Sequence, residues 1–411
     1  MDNYNIFKFK NRLKYITIPI KTDNSCSIYI YVKVGSINEN KEISGISHFI
    51  EHMVFKGGKK YKTAFSITSE LDKLGTLYNA YTDTTHTVYH FKVYHEYIGK
   101  VLDIFSDMLF NSVFDYKEIN NERNVIFEEM YKVIDDSDSY IMDLVQENIF
   151  PNHVLSKSVI GNKKTLKKCT RRVLLEYYRK YYNPNNMVVS ICGKYDKKNI
   201  HSLIKKYFGN EKNKNDIYEK FTKYEFKKLL KTEITLKKKL NQSVVSLTFP
   251  LFDSKDNRIY CAEIIENLLG SNMSSRLFLE IREKKGLVYS IDSNIEITYL
   301  GGYFCITFSC KYSNINKAIE LIIKELNKLK NRNISIKELN DNKTNLINTL
   351  YLYSERNSSI SRYYGDYLAL EEKIVDYKDY IKYINKVSIN DVRKLSNEIF
   401  DIKKMLLIKI V

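Results

Sequence analysis

Gly45-Ile46-Ser47-His48-Phe49-Ile50-Glu51-His52-Met53-Val54-Phe55-Lys56-Gly57 is the stretch on which the reading of this chain turns. Ile46, Phe49, Ile50, Met53 and Val54 recur with the i, i+3, i+4, i+7, i+8 spacing of an amphipathic helix, so one stripe is directed at a core. At about 100° per residue, His48, Glu51 and His52 fall together on roughly the opposite third of the circle, and Phe55 shares that face. Two imidazoles, a carboxylate and a phenyl ring make a poor solvent face, so the spacing predicts that something covers them. Histidines one turn apart can reach a single cation, and a glutamate beside them can polarise a metal-bound water.

The order is H-x-x-E-H, the reverse of the commoner zinc-protease motif. With 7 histidines in 411 residues, a chance occurrence is on the order of one in a hundred. The motif alone is also written by a helix with an ordinary wet side, and structural context decides between the two.

The rest of the chain allows an enzyme of some size. Its 411 residues suit two or three domains, and 44% hydrophobic content is that of a globular protein. No apolar run approaches the roughly 18 residues that span a bilayer, and the polar stretch from Met1 to Lys14 lacks a signal-peptide core. A cytoplasmic protein without membrane insertion is therefore expected. Cys26, Cys169, Cys192, Cys261, Cys305 and Cys310 form no C-x-x-C pair and read as buried, reduced thiols. The formal charge of +17 is spread along the chain with no nucleic-acid module, so nucleic acid is not an expected partner.

Strand-like and helix-like runs come in two similar series. Asn5 to Phe9, Lys14 to Ile20 and Ser27 to Val34 read as strands ahead of the motif helix; strands at Thr76 to Tyr81 and Thr87 to Tyr94 follow it. Helices over Glu96 to Phe110, Tyr116 to Val133, Tyr140 to Ile149 and Arg171 to Tyr181 lead to a closing strand, Met187 to Cys192. After a Lys- and Asn-rich stretch the order recurs: strands Glu233 to Lys237 and Ser243 to Phe249, helices Tyr260 to Leu269 and Ser275 to Lys284, strands Leu287 to Ile297 and Tyr303 to Ser309, several helices, and a last strand Met405 to Val411. The expected fold is α+β: two homologous half-units, each a mostly antiparallel sheet covered by helices. The boundaries read as 1–210 for the half carrying the motif, 211–232 for a linker and 233–411 for a second half without it.

Two histidines do not complete a catalytic zinc site; a third protein ligand and an open position are needed. The helix from Tyr116 supplies candidates. Its apolar stripe is Ile119, Ile126, Phe127, Met130, Val133 and Ile134. Glu122 and Glu129, two turns apart, lie on nearly one line along the stripe's edge, while Glu128 points away. If this helix packs on the motif helix, Glu129 can ligate and Glu128 cannot, and Glu122 is suited to orienting a ligand histidine from behind. A charged helix with surface carboxylates is the alternative at this point.

Taken together, these residues resemble the pitrilysin, insulin-degrading enzyme and mitochondrial processing peptidase family of inverted-motif zinc proteases, in its short two-domain form. The resemblance rests on Val34-Gly35-Ser36, the run Gly45 to Gly57, Asn79-Ala80-Tyr81-Thr82, Glu122 to Met130, Tyr181 to Gly193, Ser275-Arg276-Leu277-Phe278 and Glu280 to Ser290, and so spans the chain. It implies a metalloendopeptidase with one Zn2+ per chain on His48, His52 and Glu129, Glu51 as general base and Glu122 as a supporting acid. It further implies that Asn79, Ala80 and Tyr81 lie on an exposed edge strand to which a peptide substrate adds, and that Arg282 and Tyr289 contact substrate near the scissile carbonyl. Single-chain relatives have four half-units and this chain has two. A clamshell dimer is therefore implied, a homodimer by preference or a heterodimer with a degenerate paralogue. The rival expectation is a non-catalytic peptide-binding or scaffold subunit of the same fold. Two departures, Gly57-Gly58 where relatives often have Gly-Thr and Asn11-Arg12-Leu13 without a central glycine, touch only loop shape.

Overall fold

The computed structural model describes residues 4–213, 216–217, 219–371 and 373–411. Strands β1 (Asn5–Lys8), β2 (Lys14–Pro19) and β3 (Ser25–Val32) precede helices α1 (Ile46–Val54) and α2 (Ala64–Lys73). Then come β4 (Leu77–Thr82), β5 (Thr87–Tyr94), α3 (Ile98–Asn111), α4 (Tyr116–Asp135), α5 (Ser137–Ile149), α6 (Lys163–Lys168), α7 (Arg171–Tyr181), β6 (Met187–Gly193) and α8 (Lys197–Ile204). The second series is β7 (Glu233–Leu236), β8 (Ser243–Leu251), α9 (Ile259–Leu269), β9 (Ser290–Thr298), β10 (Gly301–Cys310), α10 (Ile315–Asn331), α11 (Ile336–Tyr353), α12 (Asn357–Asp366), α13 (Tyr377–Lys386), α14 (Ile389–Ile399) and β11 (Leu406–Ile410).

The sheets have orders β1-β2-β6-β3-β5-β4 and β7-β11-β8-β10-β9. Leaving β1 aside, both follow one rule: first strand of the series, last, second, fourth, third. First and last are parallel in each (β2 with β6, β7 with β11), and the other neighbours are antiparallel. This is the duplicated α+β unit that the order of elements predicts. The same rule leaves β4 at one edge of the first sheet and β9 at one edge of the second.

Both faces of each sheet are covered, which is why the central strands read as near-continuous apolar runs rather than alternating ones. In β3, Cys26, Ile28, Ile30 and Val32 join the core shared with α1. The intervening Ser27 and Tyr31 face α12, where Ser27 Oγ donates to Asn357 Oδ1 (2.8 Å) and the Tyr31 hydroxyl to the Arg362 carbonyl (3.0 Å). In the second sheet, Val245, Leu247 and Phe249 of β8 pack in the other core, and α5 lies against β8 and β11.

The chain divides into two compact units, but not at one boundary. The first comprises 1–131, 157–220 and 352–376; the second 132–156, 221–351 and 377–411. This corrects the contiguous division into 1–210 and 233–411. α5, early in the chain, belongs to the second unit, and α12, late in the chain, to the first. Periodicity reveals that a helix has an apolar face but not which sheet receives it. The expected linker 211–232 is shared between the units and docked on both. Asp216 pairs with Arg12 (2.9 Å) and the Tyr181 hydroxyl donates to Glu219 (2.5 Å) in the first unit, and Tyr224 N–H donates to the Leu300 carbonyl (2.6 Å) in the second. Linker residues 214, 215 and 218 lie outside the described residues.

Smaller departures are local. The expected helix over Ser275 to Lys284 contains a π-type turn, Phe278–Glu283, and the following strand starts at Ser290 rather than Leu287. The short helices α6 and α8 escape periodicity because so few turns carry no stripe; α8 is instead started by Asp196, whose carboxylate accepts the Asn199 N–H (2.7 Å). All six cysteines are buried and unpaired. No helix among the described residues is long and apolar enough to cross a membrane.

Candidate metal centre

Helix α1 begins at a strained point. Gly45 has φ 91°, and a Cβ there would come within 2.6 Å of the Ile160 carbonyl oxygen, so the entry requires glycine and supplies no capping side chain. The orphan N–H groups of the first turn are satisfied by a residue outside the helix. The Glu39 carboxylate accepts from Gly45 N–H (2.7 Å) and Ser47 N–H (2.9 Å). Glu39 is itself buried, and that burial pushes its carboxyl up to about 7 despite the two hydrogen bonds and the nearby Lys157. The apolar stripe behaves as its spacing predicts: Ile46, Phe49, Ile50, Met53 and Val54 are fully buried.

Helix α4 covers the opposite face of α1. Its Arg123 guanidinium lies 5.6 Å from the centre of the Phe49 ring and donates to the carbonyls of Leu166 and Cys169 (both 3.1 Å). Ile119, Glu122, Ile126 and Met130 are the buried residues of α4, while Glu128 is exposed, as the two-turn spacing of Glu122 and Glu129 requires. Of the expected stripe, Ile134 is instead exposed, because the chain leaves the first unit after residue 131.

Between these helices three donor atoms converge. His48 Nε2 and His52 Nε2 are 3.3 Å apart, and Glu129 Oε2 lies 3.7 Å from the first and 3.5 Å from the second. Zinc bonds to nitrogen and oxygen of about 2.0–2.2 Å at tetrahedral angles put ligand atoms about 3.3–3.6 Å apart. The triangle therefore has the size of one face of a tetrahedral zinc site, with the fourth direction left for water or substrate. Among the described residues, His48, His52 and Glu129 are the group of three side chains that could hold a metal ion.

The surroundings set the protons. Burial, followed by the neighbouring His52, pulls His48 down to about 4, so it is neutral and ready to ligate. Burial also pulls on His52, but hydrogen bonds to Glu122 and Glu129 outweigh it and raise that imidazole to about 9. Glu122 Oε2 is 3.1 Å from His52 Nδ1, which holds the proton on that nitrogen and leaves Nε2 as the one that can give up its proton to a metal, and Glu122 Oε1 pairs with Lys56 Nζ at 2.6 Å. Burial opposes ionisation of Glu122, but these two partners hold its carboxyl below the ordinary range. Glu129 is lowered as well, chiefly by its hydrogen bond to His52. His48 has no rear partner: its Nδ1 is buried and unpaired among the described residues.

Glu51 projects between α1 and the edge strand β4. It is buried, which raises its carboxyl, and the Thr82 hydroxyl donates to its Oε2 at 2.6 Å, which lowers it. Thr82 and Lys56 are the two residues here to which the sequence reading gave no role. Both stand inside quoted motifs, but their contacts depend on tertiary packing that spacing does not encode.

On β4 the side chains alternate. Tyr78 and Ala80 pack against the core that contains α1, whereas the Tyr81 ring turns to the far face, edge-on to His86 and with the Arg362 guanidinium 5.4 Å from its centre. Of the three expected substrate contacts, Tyr81 thus offers its backbone to the edge and not its ring to the metal face. Arg282 and Tyr289 stand in the second unit. Arg282, in the π-type turn, stacks 4.6 Å from the centre of Phe278, and Tyr289 is 69% exposed.

Two like α+β units of which one carries an H-x-x-E-H helix define the class: a two-unit protein with, among the described residues, one inverted-motif candidate metal site. Residues 15–163 match the family described as Insulinase (Peptidase family M16), and residues 168–346 match Peptidase M16 inactive domain. The chain belongs to peptidase family M16. It is similar to the uncharacterized zinc protease YmxG of Bacillus subtilis (strain 168), 33% identical over 381 residues, which covers 92% of this chain and 91% of that protein. An uncharacterized zinc protease of Rickettsia felis is 31% identical over 402 residues, covering 97% and 95%. Among solved structures, a protease from Helicobacter pylori has a TM-score of 0.91 at 22% identity with both chains covered fully. A peptidase M16 inactive domain from Pseudomonas fluorescens has a TM-score of 0.91 at 15% identity, covering 99% and 98%. At such identities these two show the fold alone.

Proposed function

We propose that this chain is a zinc metalloendopeptidase that hydrolyses extended peptides. The observation that carries the reading is the triangle of His48 Nε2, His52 Nε2 and Glu129 Oε2 at tetrahedral spacing, with the anchored carboxylate of Glu51 on the same helix. Zinc held there would supply Lewis acidity to a water and to the scissile carbonyl. Glu51 takes the proton from the attacking water and returns it to the leaving amine. Glu122 keeps the His52 ring in its ligating tautomer. A peptide joins the free edge of β4 along Asn79, Ala80 and Tyr81, so that affinity comes mainly from main-chain hydrogen bonds. That relatives are named zinc proteases supports the same reading.

The rest concerns assembly. In this reading the exposed Tyr289 and the Arg282 guanidinium are oxyanion donors that a second copy brings to the metal, in a homodimer enclosing a chamber; a heterodimer with a degenerate paralogue is the other form of the same idea. The test is hydrolysis of quenched fluorescent peptides, with zinc per chain measured by elemental analysis. Wild type should bind one zinc and cleave, and Glu51→Gln should keep the zinc and lose at least about a hundredfold in turnover. Equal activity in the two proteins sinks the peptidase reading. Mixing Glu51→Gln with Tyr289→Phe should regain part of the activity both parents lack; no recovery rejects sites shared between copies.

A further inference from the structure

We propose that Lys56 is a positioning residue of the metal centre: its ammonium braces Glu122, Glu122 orients His52, and the brace tightens zinc binding although Lys56 is itself a cation. The inference rests on the reading above that His48, His52 and Glu129 hold zinc. Glu122 spends one oxygen on each neighbour, Oε1 on Lys56 Nζ (2.6 Å) and Oε2 on His52 Nδ1 (3.1 Å). Its side chain is 7% exposed, and a buried carboxylate needs more compensation than a single imidazole N–H gives. Without Lys56 the carboxylate would turn toward water and leave His52 without its rear partner.

The lysine is aimed from a fixed base. Its backbone N–H donates to the Met53 carbonyl (3.1 Å) at the end of α1. The next residue, Gly57, has φ 141°, and a Cβ there would meet the Lys62 carbonyl oxygen at 2.3 Å. The Gly57 carbonyl in turn accepts the Val113 N–H (3.2 Å). The Lys56 stem therefore leaves the helix end in a set direction, across to α4. Since His48 Nδ1 is unpaired among the described residues, the Lys56–Glu122–His52 series is the one that orients a ligand ring from behind.

Two effects compete, and they differ in sign. A cation near a divalent ion repels it, so by Coulomb's law alone removing Lys56 would tighten zinc binding. Loss of the brace loosens His52, and loss of such outer hydrogen-bond partners typically weakens metal affinity 10- to 100-fold. The Lys56 charge is already matched by Glu122 in direct contact, so the second effect should win.

The experiment measures zinc affinity of the full chain by competition with a chelator, in wild type, Lys56→Met, Lys56→Arg, Glu122→Gln and the Lys56→Met/Glu122→Gln double variant. Lys56→Met should weaken Kd about tenfold. Lys56→Arg should stay within about threefold of wild type, since it can still pair with the carboxylate. In the Glu122→Gln background, Lys56→Met should change Kd by less than about twofold, because nothing remains to brace. An unchanged or tighter Kd in Lys56→Met overturns the proposal, as does an equal loss with and without Glu122. Should Lys56→Met not fold, Lys56→Gln replaces it under the same criteria. If wild type binds no zinc, or His52→Ala binds it as tightly, the metal reading fails and this inference with it. Tight binding by wild type and Lys56→Met alike rejects the inference alone.

Discussion

Thr82→Val should lower turnover about ten- to a hundredfold while leaving zinc content and KM nearly unchanged. Valine keeps the shape of threonine, so the change removes a hydroxyl and leaves no void. That hydroxyl has one hydrogen, directed at Glu51 Oε2 over 2.6 Å. A hydrogen bond to a charged group is worth about 1.5–3 kcal/mol, and each 1.36 kcal/mol of barrier is about a factor of ten. One to two decades follow if the bond fixes the base where the water must be deprotonated. A general base as a whole contributes about 10²- to 10⁴-fold, so Thr82→Val should remain more active than Glu51→Gln. The pH profile gives a second readout. Burial holds the Glu51 carboxyl above its ordinary value and the Thr82 hydroxyl pulls it down. Deleting the hydroxyl raises it further, and because the base works ionised, the acid limb of kcat/KM moves to higher pH. Initial rates on a quenched fluorescent peptide across about pH 5 to 9, with zinc measured alongside, decide the matter. Thr82→Ser should restore most of the rate. Turnover within about twofold of wild type at equal zinc content, or an acid limb that shifts downward, would refute the reasoning.

Zinc binding near neutral pH should release about one proton per chain, since ligation needs a neutral His52 that is otherwise raised to about 9, whereas His48 at about 4 is already neutral and Glu129 already ionised. Affinity should then rise about tenfold per pH unit below that value; calorimetry in buffers of different ionisation enthalpy reads the proton, and none released contradicts the electrostatics described. Asn357→Ala should destabilise the first unit by about 2–4 kcal/mol. Asn357 is 1% exposed, and its amide accepts from the buried Ser27 Oγ and donates to the half-buried Asp23 and Ser25, so truncation strands the Ser27 hydroxyl and unties two further partners. Chemical denaturation showing a loss under about 0.5 kcal/mol would mean α12 is not a structural part of that unit.

Much of the centre was legible in the sequence because helical geometry alone relates its parts. The one-turn spacing of His48 and His52 and the two-turn spacing of Glu122 and Glu129 survive any detail of packing. The choice of Glu129 over Glu128 follows from a 100° step. Thr82 and Lys56 were not legible, since a strand residue and a lysine beyond a helix end show no periodicity, and their partners are fixed by how β4 and α4 meet α1. The duplicated order of elements was legible from the two series of strands and helices. Its consequence for the boundaries was not, because α5 and α12 have ordinary amphipathic patterns that do not name the sheet they cover.

The exchange of segments bears on synthesis as well as on stability. Domains made on the ribosome usually fold in order of emergence, but the unit that bears the H-x-x-E-H helix needs residues 352–376 to complete it. A nascent chain therefore carries a first sheet with one face uncovered until nearly the whole polypeptide has emerged. A product cut short before α12 would have every predicted metal ligand and still lack a wall of the sheet behind them.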